Sequence, residues 1–505
     1  MQALKGPTVT VKAFRFKGNT LLGNERLAPA VASYLDRALS FAELQNAAAA
    51  VAAVYREAGW VVRVYLPQQD ISGGEVTLQV IEAVFGAVRV EGQPQRVRAA
   101  QIQAIVTAAQ ATGAPVNANA LDRALLLVGD LSGISTTGRL GEGQNDFETD
   151  LVLTVADTTR FGGEATLDNA GSRSTGRSRL SANLALNSPA QRGDLASANL
   201  MHTQGSDYLR GAYSLPVGSQ GWRVGVNAST LNYHVVTSEF AALDAHGRSS
   251  TTGVEASYPL LRSQLQNLIV NLSFDDKRFD NLSGGVTTTK YKAQAFGLSL
   301  NGNRFDDLGG GGANTASVGL VQGSIDLTGS PNEAAVAAST RAAGSFSKLR
   351  YSASRQQVLS NDVSLYASLS GQLASKNLDS SEKFYLGGAN GVRAYPASEG
   401  GGSEGRLLTI EARTRLPRNL SLTGFFDWGS VRQNKDNNIA GASANNSYSL
   451  KGVGLSLGWT SSFGVSAKAS LAQRLGHNPN PTASGLDQDG SLDKTRLWLQ
   501  VGLAF

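Results

Sequence analysis

The chain contains no cysteine, which excludes disulfide bridges and thiolate metal sites and fits an envelope protein whose folding avoids oxidative side reactions. No run approaches the ~18–20 apolar residues of a membrane-crossing helix. Charge is sparse: only 17% of residues are Asp, Glu, Lys or Arg, and the formal net charge is +5. No basic run stands out, which argues against a nucleic-acid partner. No Walker-type loop is present to suggest ATP. Met1-Gln2-Ala3-Leu4-Lys5 has no signal-peptide character, so an exported protein would be seen here in a mature or engineered form. Proline is modest at 13, whereas glycine is abundant at 57. A length of 505 residues leads us to expect two or three domains.

The first third has mixed periodicity. Val9–Phe16 alternates as a strand and stops at Gly18-Asn19. Helices follow near Glu25–Asp36 and Phe41–Ala58, the second with Leu44, Ala48, Val51 and Tyr55 at helical spacing and a capping box of Ser40 and Glu43. Strands at Val61–Leu66 and Val76–Ile81 flank a turn at Ser72-Gly73-Gly74. The order then recurs: a strand at Ala87–Gly92, helices near Ala99–Ala109 and Ala118–Gly129, and strands near Ser135–Gly141 and Asp150–Ala156. This is a tandem β-α-α-β-β unit of ~75 residues.

After Arg160 the helical period disappears. Trp222, Val224, Val226 and Ala228 alternate with Arg223, Gly225, Asn227 and Ser229, and Leu268, Val270, Leu272 and Phe274 form another apolar face. Val453, Leu455, Leu457 and Trp459 alternate with Gly452, Gly454, Ser456 and Gly458. The last strand carries Leu497, Leu499, Val501, Leu503 and Phe505 on one face. Apolar-out, small-or-polar-in segments of ~10 residues, about sixteen of them, predict a transmembrane β-barrel, a pattern invisible to hydropathy windows. Short connections at Pro417-Arg418-Asn419 and Ser461–Gly464 mostly alternate with long ones near Ser238–Ser250, Asp326–Ala343, Ala374–Ser403, Arg432–Asn446 and Gly476–Lys494. The Asn303–Ala313 connection is longer than a periplasmic turn should be. A soluble propeller or solenoid would alternate too, but blade-like repeats are missing.

One loop organises the rest. Gly387-Gly388-Ala389-Asn390-Gly391-Val392-Arg393-Ala394-Tyr395-Pro396 is built from residues that leave helix and strand geometry, with a lone arginine at its tip. Beyond it, Phe425, Asp427 and Gly429 share one strand face while Leu422, Phe426 and Trp428 share the other. An aspartate on the less apolar face of a membrane strand needs a cation, and Arg393 is the candidate, although the two could also be unrelated surface charges.

Tandem units of this order resemble POTRA domains, and with the barrel the whole chain resembles the TpsB transporters of two-partner secretion, the hemolysin secretion/activation proteins. In that family a loop between strands 11 and 12 folds into the lumen with a Val-Arg-Gly-Tyr/Phe tip, matched here by Val392, Arg393 and Tyr395 after Gly391, with Ala394 in place of the tip glycine. Its strand 13 carries Phe-x-Asp-x-Gly, matched by Phe425, Asp427 and Gly429, and its arginine pairs with its aspartate. The resemblance implies an N-terminal tail at 1–8, POTRA 1 at 9–84, POTRA 2 at 85–159, and an outer-membrane barrel at 160–505 with a lumen-inserted loop at 374–403. It implies periplasmic POTRA domains that capture an unfolded β-helical partner (an adhesin, cytolysin or toxin) by strand addition, and passage through the lumen with no catalysis and no cofactor. The terminal strand, with Leu499, Val501, Leu503 and Phe505, would be recognised by the barrel-assembly machinery, and outer-membrane lipid would surround the barrel. Family members often carry an N-terminal plug helix; here it is either absent or was removed with the signal sequence.

Other signals are weaker. Gly454-Leu455-Ser456-Leu457-Gly458 matches a hydrolase nucleophile elbow, but its serine lies mid-strand with no turn to expose it. His202, His234, His246 and His477 are too far apart in sequence to suggest a metal site. Asp487-Gln488-Asp489-Gly490 with Asp493 has a partial calcium-loop look and reads better as a solvated outer loop. An insertase for other barrels is the alternative function, since such relatives share the arginine loop but carry more POTRA units. A plain diffusion porin would need no POTRA units.

Overall fold

A computed structural model describes residues 8–439 and 442–505. Apart from Thr8, the expected tail over 1–8 lies outside the described residues. The chain forms two compact units, one of which is the N-terminal stretch to Thr158 and the other essentially the remainder.

The N-terminal unit holds two β-α-α-β-β layers. In the first, Ala13–Lys17 runs parallel to Glu75–Glu82, and Val62–Tyr65 pairs antiparallel on the other side. The single strand expected over Val9–Phe16 is two strands. Thr8–Val11 pairs with Arg37–Ser40, and the chain breaks at Lys12, where Gly74 O accepts from both Lys12 N and Ala13 N. The helix expected to reach Asp36 runs only from Asn24 to Val31, followed by a 3-10 turn at Ala32–Tyr34. Beyond that turn Asp36 adopts a left-handed φ of 55° and donates its N–H to Val11 O, which leads the chain into the next strand. Ser40 caps the next helix, Phe41–Glu57, reciprocally with Glu43. Leu27, Leu39, Val51, Tyr55 and Leu78 are buried between helices and sheet.

The second layer places Glu148–Asp157 between Val84–Glu91 (parallel) and Ile134–Glu142 (antiparallel). The helices Ala99–Ala109 and Ala118–Gly129 cover it over a core that includes Phe85, Ile102, Leu121 and Leu153. Backbone bonds Val61 N→Val116 O, Val116 N→Ala83 O and Ala118 N→Gly59 O stitch the two layers together.

Residues from Phe161 onward close into a barrel of sixteen antiparallel strands, numbered here 1 to 16 in chain order. Alternation sets which side chains face out. On strand 16 (Thr495–Ala504) Leu497, Leu499, Val501 and Leu503 are exposed, and Phe505 continues the row, while Arg496 and Gly502 are buried inside. The ring closes where Gln500–Ala504 pair with Glu164–Asp168 of strand 1 (Phe161–Asp168). Beyond that short seam the Asn169 side chain takes over, donating to Leu497 O and accepting from Leu499 N.

The over-long connection at Asn303–Ala313 has a simple cause. Strand 8 (Val286–Asp306) and strand 9 (Gly312–Asp326) both run further than the ~10 residues expected, leaving a five-residue turn, Asp307–Gly311. Strands 7 (Gln266–Ser283) and 8 are correspondingly joined at the other end by only Gly284-Gly285, both at positive φ. Between strand 11 (Val363–Ala374) and strand 12 (Glu404–Leu416) the chain leaves the wall and packs inside.

Candidate functional site: a loop held in the barrel lumen

The segment between strands 11 and 12 is a folded object, not a slack connection. Phe384–Tyr385 pairs with Gly401–Gly402, Val392 N donates to Leu386 O, and Tyr395 N donates back to Val392 O. Gly387 is required at its neck, since a Cβ there would lie 2.2 Å from Pro396 O. Leu386, Val392, Ala394 and Tyr395 are buried against Phe425, Val431, Leu450 and Ala472 of the wall.

Strand 13 (Leu420–Arg432) presents Phe425, Asp427 and Gly429 to the lumen, as alternation requires. The structure brings Arg393 and Asp427 together. Arg393 Nε donates to Asp427 Oδ2 at 2.8 Å and Nη2 to Oδ1 at 2.7 Å, and the Arg393 backbone N–H adds a third bond at 3.1 Å. This is the bidentate match of a planar guanidinium to a carboxylate. Asp427 is fully buried and Arg393 is 6% exposed. Thr409 Oγ1 donates to Asp427 Oδ1, and Phe425 lies under the guanidinium with its ring centroid 3.5 Å from Cζ. From strand 16, Trp498 Nε1 donates to Arg393 O at 2.7 Å.

Gly429 and Gly452 leave room for the loop. A Cβ at Gly429 would lie 2.7 Å from Leu386 Cδ2, and one at Gly452 would lie 2.7 Å from Ala394 Cβ. Ala394 does not have a positive φ, so alanine at this tip position is unstrained. Gly391 is equally confined, with a would-be Cβ 2.0 Å from Leu386 O. On strand 14 (Ser447–Thr460), Ser456 Oγ bonds Ser470 Oγ, and Gly454 makes room for the Phe425 ring; small residues line the lumen there.

Three groups of anchoring residues escaped the sequence reading. Glu411 takes the remaining Arg393 donor, Nη1, at 2.9 Å and is itself bound by Arg413. On the limb before the tip, Glu382 binds Lys348 and Lys277, while Gln372 Nε2 donates to Glu382 O and Ser403 O. On the limb after it, Glu399 accepts from Asn478 Nδ2 and Gln488 N, and Asn478 also binds Asp487. Asp487 is therefore no solvated outer-loop residue: it is fully buried and ion-paired with Arg474 and Arg496. Arg474 in turn lies 4.2 Å over the Tyr395 ring. The signal for Glu411 was present, since Thr409, Glu411 and Arg413 put polar groups on the inward face of strand 12. Glu382, Glu399 and Asp487 sit in irregular loops where no period marks burial.

Leu499, Val501, Leu503 and Phe505 lie apart from this cluster, on the outward face of the closing strand.

Comparison with known proteins agrees with this architecture. Residues 9–83 match the POTRA domain, ShlB-type, and residues 148–450 match the haemolysin secretion/activation protein ShlB/FhaC/HecB. The chain is similar to the heme/hemopexin transporter protein HuxB of Haemophilus influenzae strain 86-028NP, 24% identical over 99% of this chain and 87% of that protein. It is also similar to the outer membrane transporter CdiB of Dickeya dadantii strain 3937, 24% identical over 87% of this chain and 79% of that one. Among solved structures, CdiB from Escherichia coli superposes with a TM-score of 0.75 at 20% identity, covering all of this chain and 92% of that one. The chain belongs to the haemolysin secretion/activation protein family, the TpsB transporters of two-partner secretion, with its barrel in the outer membrane and its POTRA region in the periplasm.

Proposed function

We propose that the protein exports one dedicated, unfolded β-helical partner (an adhesin, cytolysin or toxin) through its lumen, with the Arg393 loop as a positional lock. The observation that carries this reading is the tip cluster, in which one arginine is shared between carboxylates on strands 12 and 13 of a closed ring. A buried ion pair is weak evidence of stability but suits a part that must hold one position and then leave it. Residues 9–84 and 85–159 are assigned as POTRA 1 and POTRA 2, and 160–505 as the barrel. Val62–Tyr65, at an edge of the first sheet, offers backbone groups to which an extended client can add as a strand. No covalent step is assigned; folding of the client outside supplies direction. The terminal residues Leu499, Val501, Leu503 and Phe505 serve assembly of the barrel into the lipid.

The test is secretion of the candidate partner from cells carrying wild type, Arg393→Ala or Asp427→Ala, with heat-modifiability of the barrel followed in parallel. Loss of secretion by folded variants supports the lock. Secretion that never depends on this protein removes the export reading and leaves insertion of other barrels as the alternative.

A further inference from the structure

Away from the loop, a cavity of about 890 Å³ opens at the outer ends of strand 5 (Trp222–His234), strand 6 (His246–Arg262) and strands 7 to 9, lined by Arg248, Arg278, Lys290, Lys292, Asp280 and Asp326 among others. Tyr291 and Ala293 are buried inside the barrel, so their neighbours Lys290 and Lys292 point away from the lumen. The side chains of Arg278 and Lys290 are 66% and 71% exposed.

The position of this cavity relative to lipid follows from the register. Val226, Val254, Phe274 and Phe296 stand opposite one another across strands 5 to 8 and all face outward, forming an apolar row. Arg278 is four residues beyond Phe274, and Lys292 four beyond Phe296, or about 13 Å along the strands. Strand 7 runs toward the Gly284-Gly285 end, the end opposite the one where the chain enters the barrel from the periplasmic POTRA region. The cations therefore sit at the headgroup level of the outer leaflet.

Asp280 stands opposite both Arg248 and Lys290, and Asp326 stands opposite Lys292, so two carboxylates are spread over three cations and Arg278 has none across from it. Arg278 stands directly opposite Lys292, a like-charge cross-strand pair that destabilises a sheet unless something negative lies between. Their acidic neighbours are poorly placed or engaged. Asp276 approaches Arg278 only to 3.6 Å, Asp280 approaches Lys290 only to 4.0 Å, and Asp326 Oδ1 accepts the Thr328 N–H. Arg248 and Lys292 face Asp280 and Asp326 across the strands, but among the described residues neither closes to an ion pair within 4 Å. The carboxylates keep the cavity near neutral overall, which favours spaced phosphates on a hydroxyl-rich scaffold over a compact polyanion.

We propose that this outer-rim cavity binds the phosphorylated sugar headgroup of an outer-leaflet glycolipid, with Arg278 and Lys292 sharing one phosphate and Arg248 and Lys290 flanking it. The acyl chains then lie along the Val254–Phe274–Phe296 row. This rests on the outer-membrane location and not on what the protein exports.

The full chain, purified in detergent, would be mixed with bis-phosphorylated lipid A, and bound adducts counted by native mass spectrometry. Wild type should retain one glycolipid. Arg278→Gln with Lys292→Gln should lower the retained fraction about ten-fold, equivalent to ~1.4 kcal/mol. Arg278→Lys, and Arg26→Gln on an exposed helix position of the N-terminal unit, should retain it, and adducts should weaken as salt rises. Heat-modifiability reports folding; should the double variant not fold, Arg248→Gln and Lys290→Gln carry the same expectation. Equal retention by the folded variants, equal binding of dephosphorylated lipid A, or displacement by equimolar inorganic phosphate would each overturn the proposal.

Discussion

Arg393 uses its backbone N–H and its Nε, Nη1 and Nη2 groups on two carboxylates, and its plane covers the Phe425 ring. A lysine can supply the charge but not the fork or the stacking. Arg393→Lys is therefore expected to resemble Arg393→Ala in secretion, whereas Glu411→Gln, which keeps an acceptor and all three Asp427 bonds, should be milder. Truncating one member of so buried a pair costs on the order of 3–5 kcal/mol of loop docking. A second carboxylate makes a pH-dependent contribution in the periplasmic unit. Glu82 accepts from the Thr20 hydroxyl, Leu21 N, the Tyr55 hydroxyl and Thr20 N; burial works to raise its pKa, but these bonds outweigh it and hold it below the ordinary carboxylate value. A depressed folded-state pKa means stability that is present above the unfolded value near 4.5 and lost as pH falls through the folded one. Thermal melting of the full chain should show the N-terminal unit losing that increment below about pH 4.5, and Glu82→Gln should remove the dependence and cost roughly 1 kcal/mol at neutral pH. The Arg393–Asp427 pair was legible because both sit in locally distinctive stretches, a glycine-rich loop and an alternating strand. Glu82 was not, because its partners come from a loop some sixty residues earlier and a helix between.

At the scale of elements, strands were readable because burial on one face writes a period of two into the sequence. Their ends were less so. The Asn303–Ala313 connection looked long because strands 8 and 9 continue in polar residues past the apolar belt. The Arg37–Ser40 strand was missed because four residues carry too little pattern to separate from a helix cap. The loop was recognisable as a loop, but its packing depends on absent side chains across the lumen. Gly452→Ala should place a methyl against Ala394, lift the tip, and raise labelling of a cysteine introduced at Val392 by a water-soluble thiol reagent. Ala394→Gly in the same chain should reverse that effect. An unchanged labelling rate in Gly452→Ala would mean that the tip adjusts without leaving its seat. The lack of native cysteine makes any introduced thiol the sole reporter.

For the whole molecule, closure depends on a seam of five paired residues, while neighbouring strands such as 7 and 8 pair over nearly their full length. Phe505 extends the seam by exchanging backbone bonds with Gly163 in both directions. Phe505→Ala is expected to reduce the heat-modifiable fraction in outer membranes several-fold while leaving the POTRA region soluble and folded; an unaltered fraction would remove the assembly role proposed for the terminal strand. The three anchors of the loop, at Glu382, Arg393 and Glu399, lie at different points along its path; the first two grip the wall, and the third grips the connection leading into strand 16. An applied load need not break them together. On the proposed export route, a chain pressing on the tip would strain the Arg393 carboxylates first, and the limbs would then let go in turn, so that the loop would peel like adhesive tape. The force required is set by the strongest single grip and not by the sum of the three.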